Sequence, residues 1–361
     1  MKEKYKIVQV IPDLGLGGAE IMVEALCNEL RTFGHEVHVV SLYTVYTPIT
    51  KRLKQSGICV HYLNKNKGFD FSLILKLRKL IKKINPEIIH THLYSLPYSM
   101  LATLFLRISK RVHTIHNLAD KEVSKNKRLI NSMFYKYFSV IPVAISPLVK
   151  KSIVEEYKIS SQKVPIVYNG IDLSKCKPKN SYDFAKEYIS ILHIGRFSEQ
   201  KNHEMLLKTY KKVLIKHKNL KLNLIGDGER REEIENIAKT LDILRHINFL
   251  GLKSTVYNFL NEADIFILPS RWEGMPITII EAMASALPIV ATNVGGIPDM
   301  IQDNYSGLLV DVDEDRLAEA LNELITKIDK REKFGRNAVK ESEKFSSHRM
   351  ANEYVKIYGA K

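Results

Sequence analysis

Ile265-Phe266-Ile267-Leu268-Pro269-Ser270-Arg271-Trp272-Glu273-Gly274-Met275-Pro276-Ile277-Thr278-Ile279-Ile280-Glu281 reads as a strand, a turn and the opening of a helix. The four apolar residues 265–268 are a short buried strand, and 270–274 form the turn. Pro276 suits a first helical position, where the N–H it lacks would have had no helical partner. Glu273 then lies on the loop, and Glu281, eight positions later, lies within the first turns of the helix. Between the two carboxylates the backbone N–H groups of Met275, Ile277 and Thr278 point out of a helix N-terminus, a ready site for a phosphate. An ionised carboxylate accepts from two neighbouring hydroxyls at once. Two such groups flanking an anion site suit a nucleotide sugar, with its ribose diol, diphosphate and hexose hydroxyls. Taken alone, the pair also fits two solvated glutamates beside a helix start.

Working outward, strand and helix patterns alternate along the chain, the mark of a doubly wound parallel sheet. In the first half, residues 6–11, 36–41, 58–63, 87–92, 112–116, 142–145 and 164–168 read as strands, with helical patterns at 19–33 and 71–84. Residues 172–182 break the apolar pattern with Lys, Pro, Asn and Ser and read as a linker. The second half restarts with strands at 189–194, 221–225, 247–250, 265–268, 288–291 and 307–310. A chain of 361 residues exceeds one ordinary core. The expected fold is therefore α/β, two doubly wound, Rossmann-like domains facing each other across a cleft, with ligands at the carboxyl ends of the strands.

Both halves offer candidate groups at such strand ends. Gly15-Leu16-Gly17-Gly18-Ala19-Glu20 follows the first strand, and its glycines let backbone amides approach a phosphate. Glu20 stands where a dinucleotide fingerprint needs glycine or alanine, so that fingerprint fails. Gly195-Arg196-Phe197 and Gln200-Lys201-Asn202 follow the first strand of the second half. Arg196 and Lys201 are placed to neutralise a diphosphate and the charge that grows on it as it leaves; exposed loop cations also fit a solvated role. Gly226-Asp227-Gly228 offers backbone access for a base. His116 ends a strand on the ligand side, whereas His113 does not. His90 and His92 could join it in a metal site by composition, although their spacing requires none. Asp311-Val312-Asp313 has a metal-binding look, but Asp313 is more simply a helix cap.

The chain carries net +15, concentrated in its first half: 26 Lys and Arg oppose 12 Asp and Glu in residues 1–170, against 29 and 28 thereafter. One basic cluster, Lys76, Arg78, Lys79, Lys82 and Lys83, shares a helix with an apolar face that reads as core-facing. A second, Lys121, Lys125, Lys127 and Arg128, leads into Leu129, Ile130, Met133, Phe134, Tyr137 and Phe138. It fits a core-facing helix and an anionic membrane surface equally well. No nucleic-acid reader motif accompanies the charge. No apolar run is long enough to span a bilayer, no N-terminal signal is evident, and Cys27, Cys59 and Cys176 show no metal or disulfide spacing. A cytoplasmic protein, peripheral on the inner face of the cell membrane, is expected.

Gly17-Gly18-Ala19-Glu20, His116, Gly195-Arg196-Phe197 with Lys201-Asn202, Gly226-Asp227-Gly228, Glu273-Gly274-Met275-Pro276 with Glu281-Ala282, and Val294-Gly295-Gly296-Ile297-Pro298 resemble the retaining GT-B glycosyltransferases of family 4 (glycosyl transferases group 1). The likeness covers nearly the whole chain and is denser in the second half. It implies an acceptor-binding, membrane-facing domain at 1–171, a nucleotide-sugar donor domain at 172–346, and a helix at 347–361 crossing back to the first domain. It also implies that Glu281 holds the ribose, Glu273 the sugar hydroxyls, and Arg196 and Lys201 the diphosphate. Gly15, Gly17 and Gly18 would approach the donor phosphate and the acceptor, and His116 would line the reacting face of the sugar. No second carboxylate is evident for a double displacement. The resemblance implies instead front-face attack with retention, the leaving phosphate taking the proton and cationic side chains standing in for a metal, with no cofactor beyond the sugar nucleotide. UDP is the family's usual carrier. A lipid-diphosphate-linked glycan of capsule, exopolysaccharide or O-antigen (lipopolysaccharide) assembly is the acceptor that the basic first half suggests. An epimerase or phosphorylase of the same two-domain plan, and a non-catalytic sugar-binding protein at a membrane surface, are the competing classes. One departure is Ala286, where the family usually has glycine. A left-handed turn there would cost alanine roughly 1 kcal/mol.

Overall fold

The structure, a computed structural model, describes residues 4–179, 182 and 187–359. Two compact units divide the chain, Met1–Ile171 with Phe345–Lys361, and Asp172–Lys344. The second boundary falls two residues before the one drawn from sequence. Of the linker segment, Asn180 and Ser181 lie outside the described residues.

The first unit holds β1 (Lys6–Ile11), β2 (Glu36–Ser41), β3 (Cys59–Tyr62), β4 (Ile88–His92), β5 (Lys110–Ile115) and β6 (Val140–Ala144) in the order β3-β2-β1-β4-β5-β6. The second holds β7 (Ile189–Ile194), β8 (Leu220–Ile225), β9 (Ile247–Gly251), β10 (Ile265–Leu268), β11 (Ile289–Thr292) and β12 (Gly307–Val310) in the order β12-β11-β10-β7-β8-β9. Numbered from its own first strand, the second sheet repeats the order of the first. Every strand pair is parallel. Central strands of such sheets are covered on both faces, which explains why β1 and β10 are apolar runs rather than alternating ones. All four residues of β10 are buried. This order reverses direction between the first and fourth strands of each sheet, and that switch point is where open α/β sheets bind ligands. It lies between β1 and β4 in the first unit and between β7 and β10 in the second.

Residues 164–168 do not form the strand that their apolar content predicts. They contribute an isolated bridge, Ala144 to Ile166, because Pro165 has no N–H to continue a ladder. The terminal helix Ser347–Gly359 packs on the helix Gly18–Thr32 within the first unit, burying Met350, Tyr354 and Tyr358. Its start is clasped by paired backbone bonds, Ile171 N to Phe345 O at 3.0 Å and Ser347 N to Ile171 O at 2.7 Å.

The helix Phe71–Ile84 buries Leu73, Leu77, Ile81 and Ile84, as its core-facing pattern predicts. The helix Lys125–Tyr137 behaves differently. It buries Asn131, Phe134 and Tyr135 but exposes Leu129, Ile130, Met133 and Tyr137. Asp313 caps the helix Glu314–Thr326, its Oδ1 accepting from Arg316 N at 2.8 Å. Ala286 does adopt the left-handed conformation, at φ 60°.

Candidate functional site

At the switch point of the second unit, the loops after β7 and β10 meet on one ion pair. The Glu273 carboxylate is buried, and Lys201 Nζ lies 2.5 Å from its Oε1. Ser270 Oγ donates to the same oxygen at 2.6 Å, and Gln200 Nε2 donates to Oε2 at 3.2 Å and to the Trp272 carbonyl at 3.0 Å. Both carboxylate oxygens are therefore engaged. Two glycines make this packing possible. Gly295, at φ 61°, sits against the backbone of Glu273, where a Cβ would come within 1.9 Å of the Glu273 carbonyl. Gly226, at φ 140°, packs equally closely on Gly195, a Cβ there falling 2.0 Å from the Gly195 carbonyl. Gly296 N also donates to Gly274 O at 2.8 Å. The loops after β7, β8, β10 and β11 thus hold one another by backbone contact.

The helix Ile277–Ala284 starts one residue later than the proline pattern suggests. Pro276 is its N-cap, at φ −70° and ψ 120°. The N–H groups of Ile277 and Thr278 precede the helix's own bonding pattern, and the Thr278 hydroxyl oxygen is buried without a hydrogen-bond partner among the described residues. An orphaned buried polar atom at a helix N-terminus marks a place for a ligand atom. One turn on, Glu281 is buried, and burial and the charge of Lys175 are what act on its carboxyl group, with no hydrogen bond among the described residues. Burial pushes its pKa up to about 8, opposed only by Lys175. The neighbouring Cys176 thiol is pushed up to about 12, first by burial and then by Glu281.

Arg196 is not drawn into this group. Its guanidinium is largely exposed and pairs with Glu229 at 3.0 Å. Asp227 is exposed, its Oδ1 accepting from Gly228 N at 2.8 Å and its carbonyl accepting from Phe197 N at 3.0 Å.

In the first unit the loop after β1 is braced by Asp13, whose Oδ1 accepts from Gly15 N at 2.9 Å. Gly17 is the N-cap of the helix Gly18–Thr32 and offers no side-chain cap. Glu20 serves instead, folding its carboxylate over Gly17 so closely that a Cβ there would meet it. Burial raises the Glu20 pKa to about 7. The residue that spoils the dinucleotide fingerprint thus occupies the helix N-terminus on which the sequence pattern puts a phosphate at Gly15, Gly17 and Gly18.

His116 directly follows β5. Its Nε2 lies 3.1 Å from His92 Nδ1, and its backbone N donates to Glu122 Oε1 at 3.3 Å. Burial depresses its pKa to about 3, so the ring is neutral. All four ring nitrogens of His90 and His92 are hydrogen-bonded, those of His90 to Tyr358 and Thr114 and those of His92 to His116 and Gln9.

Ser270 and Gln200 stand in motifs that the sequence offers, Leu268-Pro269-Ser270 and Gln200-Lys201-Asn202, without a role of their own, and Gln9 is a site partner that no sequence pattern singled out. Ser270 stands three residues before Glu273, Gln200 adjoins Lys201, and Gln9 is the one polar residue in the apolar run of β1.

Residues 16–175 match the family described as Glycosyltransferase Family 4, and residues 175–341 match Glycosyl transferases group 1. The chain belongs to the GT-B glycosyltransferases of group 1/family 4. Among relatives of this glycosyltransferase, an N-acetyl-α-D-glucosaminyl L-malate synthase of Bacillus anthracis is 27% identical over 95% of this chain and 94% of its own length. A UDP-Gal:α-D-GlcNAc-diphosphoundecaprenol α-1,3-galactosyltransferase of Escherichia coli is 25% identical over 68% of this chain and 67% of its own. A glycosyltransferase structure from Rickettsia africae superposes with a TM-score of 0.83 at 25% identity, covering 99% and 98% of the two chains. The two family matches meet at residue 175, close to the division between the compact units. The ion-paired Glu273, Lys201 and the buried Glu281 all fall within the group 1 match.

Proposed function

We propose that this glycosyltransferase moves a hexose or N-acetylhexosamine from a UDP-sugar to a hydroxyl of a lipid-diphosphate-linked glycan, with retention and without a metal. The observation that carries the donor assignment is the pairing of two unlike carboxyl groups across one helix N-terminus. Glu281 is a buried residue whose carboxyl group has no hydrogen bond among the described residues, and a ribose diol supplies donors for it. Glu273, held in place by Lys201, Ser270 and Gln200, presents its remaining acceptor capacity to the sugar hydroxyls. The diphosphate lies at the N–H groups of Gly274, Met275, Ile277 and Thr278, beside Lys201. Among the described residues the Arg196 guanidinium is joined only to exposed Glu229, a weak tie it can exchange for phosphate. Gly195, Gly226 and Asp227 line the approach to the base. For Gly15, Gly17, Gly18 and His116, all in the first unit, the family resemblance remains the ground for a part in acceptor and sugar handling.

Cleavage of the anomeric bond puts negative charge on the diphosphate and positive charge on the sugar ring. Lys201, Arg196 and the helix N-terminus answer the first. Both oxygens of Glu273 are already engaged, which disfavours it as the nucleophile of a double displacement. Front-face attack by the acceptor hydroxyl, with its proton passing to the leaving phosphate, fits better.

The acceptor assignment draws on the exposed apolar residues of the helix Lys125–Tyr137, which stand among Lys125, Lys127 and Lys136. On the connection just before β5, Phe105 is 93% exposed at φ 61°. That connection is pinned by Arg78, bonded to the Ala102 and Leu104 carbonyls at 3.0 and 2.7 Å, and by Arg111. Rigidly displayed apolar groups beside cations suit an anionic bilayer, and the E. coli relative acts on an undecaprenyl-linked acceptor. No helix of the described residues is long and apolar enough to cross a membrane. In this reading the enzyme works at the cytoplasmic face of the membrane, in capsule, exopolysaccharide or O-antigen assembly.

The test is transfer from UDP-sugars to a polyprenyl-diphosphate N-acetylglucosamine in anionic vesicles, with the product's anomeric configuration read by NMR. An α-linked product from an α-linked donor is expected, undiminished by EDTA. An inverted product, or epimerised free sugar without transfer, would overturn the proposal.

A further inference from the structure

The first unit contains a buried polar chain of which the proposed chemistry uses only the first member, His116. It starts at His116 and ends on the terminal helix. His116 Nε2 is 3.1 Å from His92 Nδ1, and His92 Nε2 is 2.8 Å from Gln9 Oε1. Gln9 Nε2 reaches the Tyr358 hydroxyl at 3.4 Å, and that hydroxyl is 2.8 Å from His90 Nδ1. His90 Nε2 is 2.7 Å from Thr114 Oγ1, which is 2.6 Å from the Tyr354 hydroxyl. Gln9, His90, His92 and Thr114 are wholly buried, and Tyr354 and Tyr358 nearly so. Three strand ends and the terminal helix contribute to one network.

We propose that His92 and Gln9 are positioning residues for His116, fixing both its ring orientation and its tautomer, and that Tyr358 holds Gln9 for this purpose. A neutral imidazole has one N–H and one lone pair, and the bond made by one nitrogen decides the state of the other. Gln9 turns its carbonyl oxygen to His92, so His92 Nε2 carries the proton and His92 Nδ1 is a bare acceptor. His116 must then donate from Nε2. Its Nδ1 is left as a lone pair, an acceptor for a hydroxyl. Gln9 keeps this orientation because its amide N–H groups need an acceptor, and Tyr358 provides one. Reversing the sense requires the amide to flip and both imidazoles to exchange tautomers together with the Tyr358 hydroxyl. The His116 backbone is fixed separately by Glu122, so the ring has little freedom at either end.

This assignment rests on the reading that His116 faces the reacting sugar, and the test separates the two. Nitrogen-15 NMR of the imidazoles, recorded on nucleotide-free protein, reports which ring nitrogen is protonated. His116 is expected as a single tautomer with Nδ1 unprotonated, turning into a mixture in His92→Phe and, more weakly, in the conservative Tyr358→Phe. A tautomeric mixture in the unaltered protein, a protonated Nδ1, or a His116 signal unchanged by both substitutions would overturn the proposal. In transfer assays Tyr358→Phe and Gln9→Leu should lower kcat, Gln9→Leu by roughly 10- to 100-fold, while the donor KM moves little, as for a group displaced rather than lost. Equal falls in kcat with unfolding at assay temperature would signal a merely structural role and count against it. Normal kcat in His116→Ala, with the NMR result as expected, would remove the catalytic reading of His116 and leave the positioning assignment standing.

Discussion

The two units repeat one strand order, yet they equip the same switch point with opposite chemistry. In the second, the strand ends carry a buried ion pair, a buried carboxyl with no hydrogen bond among the described residues, and the helix N-terminus at Ile277 and Thr278. In the first, they carry neutral imidazoles, an amide and tyrosines, and the helix N-terminus is already capped by Glu20. The charge excess runs the other way, with almost all of it in the first half of the chain. A fold sets where a site lies, and the side chains at the strand ends set what it does. The charged interior of the second unit suits a charged donor. The neutral site and basic surface of the first suit a hydroxyl acceptor delivered at an anionic surface.

The largest effect expected from breaking this contrast is at Lys201. Lys201→Met leaves the buried Glu273 carboxylate without its partner, which should cost roughly 3–5 kcal/mol in denaturant unfolding. Transfer should fall by about 10²–10³-fold, the usual loss of one preorganised charge partner. A stable variant with normal kcat would mean that the pair is incidental to both.

Glu281 should give a pH signature that reaches higher than that of Glu20 and Glu122 of the first unit, both raised by burial to about 7. Its folded pKa of about 8 lies above the ordinary value of 4.5. The folded state therefore holds a proton that the unfolded state has released, and stability contributed at this site falls as pH rises from near 4.5 to near 8. A diol donating two hydrogen bonds favours the ionised carboxylate, so UDP-sugar affinity should rise with pH through about 8. Glu281→Gln should flatten both trends in calorimetric titrations and unfolding curves. A wild-type affinity independent of pH between 6.5 and 8.5 would remove the ribose assignment.

Ala286→Gly should stabilise the second unit by roughly 1 kcal/mol, because glycine adopts φ 60° without the Cβ penalty. Thermal unfolding checks this. The smallest effect on stability is expected on the basic surface of the first unit. Phe105→Ser and Leu129→Ser should each change unfolding free energy by no more than about 0.5 kcal/mol. Together they should weaken sedimentation with phosphatidylglycerol vesicles, and unchanged vesicle binding would detach the exposed face from the membrane.

Much of the second unit could be read from its residues, since strand, loop and carboxylates of the donor site lie within residues 265–281. Pro276 was displaced by one position because proline has nearly the same φ as an N-cap and as a first helical residue, and only ψ separates the two. The unit of greater sequence separation was harder. Gln9, His92, His116 and Tyr358 are up to 349 positions apart, and no local pattern reports that they touch. Residues 164–168 had strand-like composition, but a backbone donor was missing at Pro165. The exposure of the helix Lys125–Tyr137 was ambiguous for a related reason, since periodicity identifies an apolar face without saying what covers it.

The most direct test of the donor site is a thermal-shift panel of nucleoside diphosphates and nucleotide sugars, with and without EDTA, on the unaltered protein and on Glu281→Ala. Stabilisation by a UDP-sugar that survives EDTA and disappears in Glu281→Ala is the predicted result. No stabilisation by any nucleotide, or stabilisation that persists in Glu281→Ala, would contradict the account.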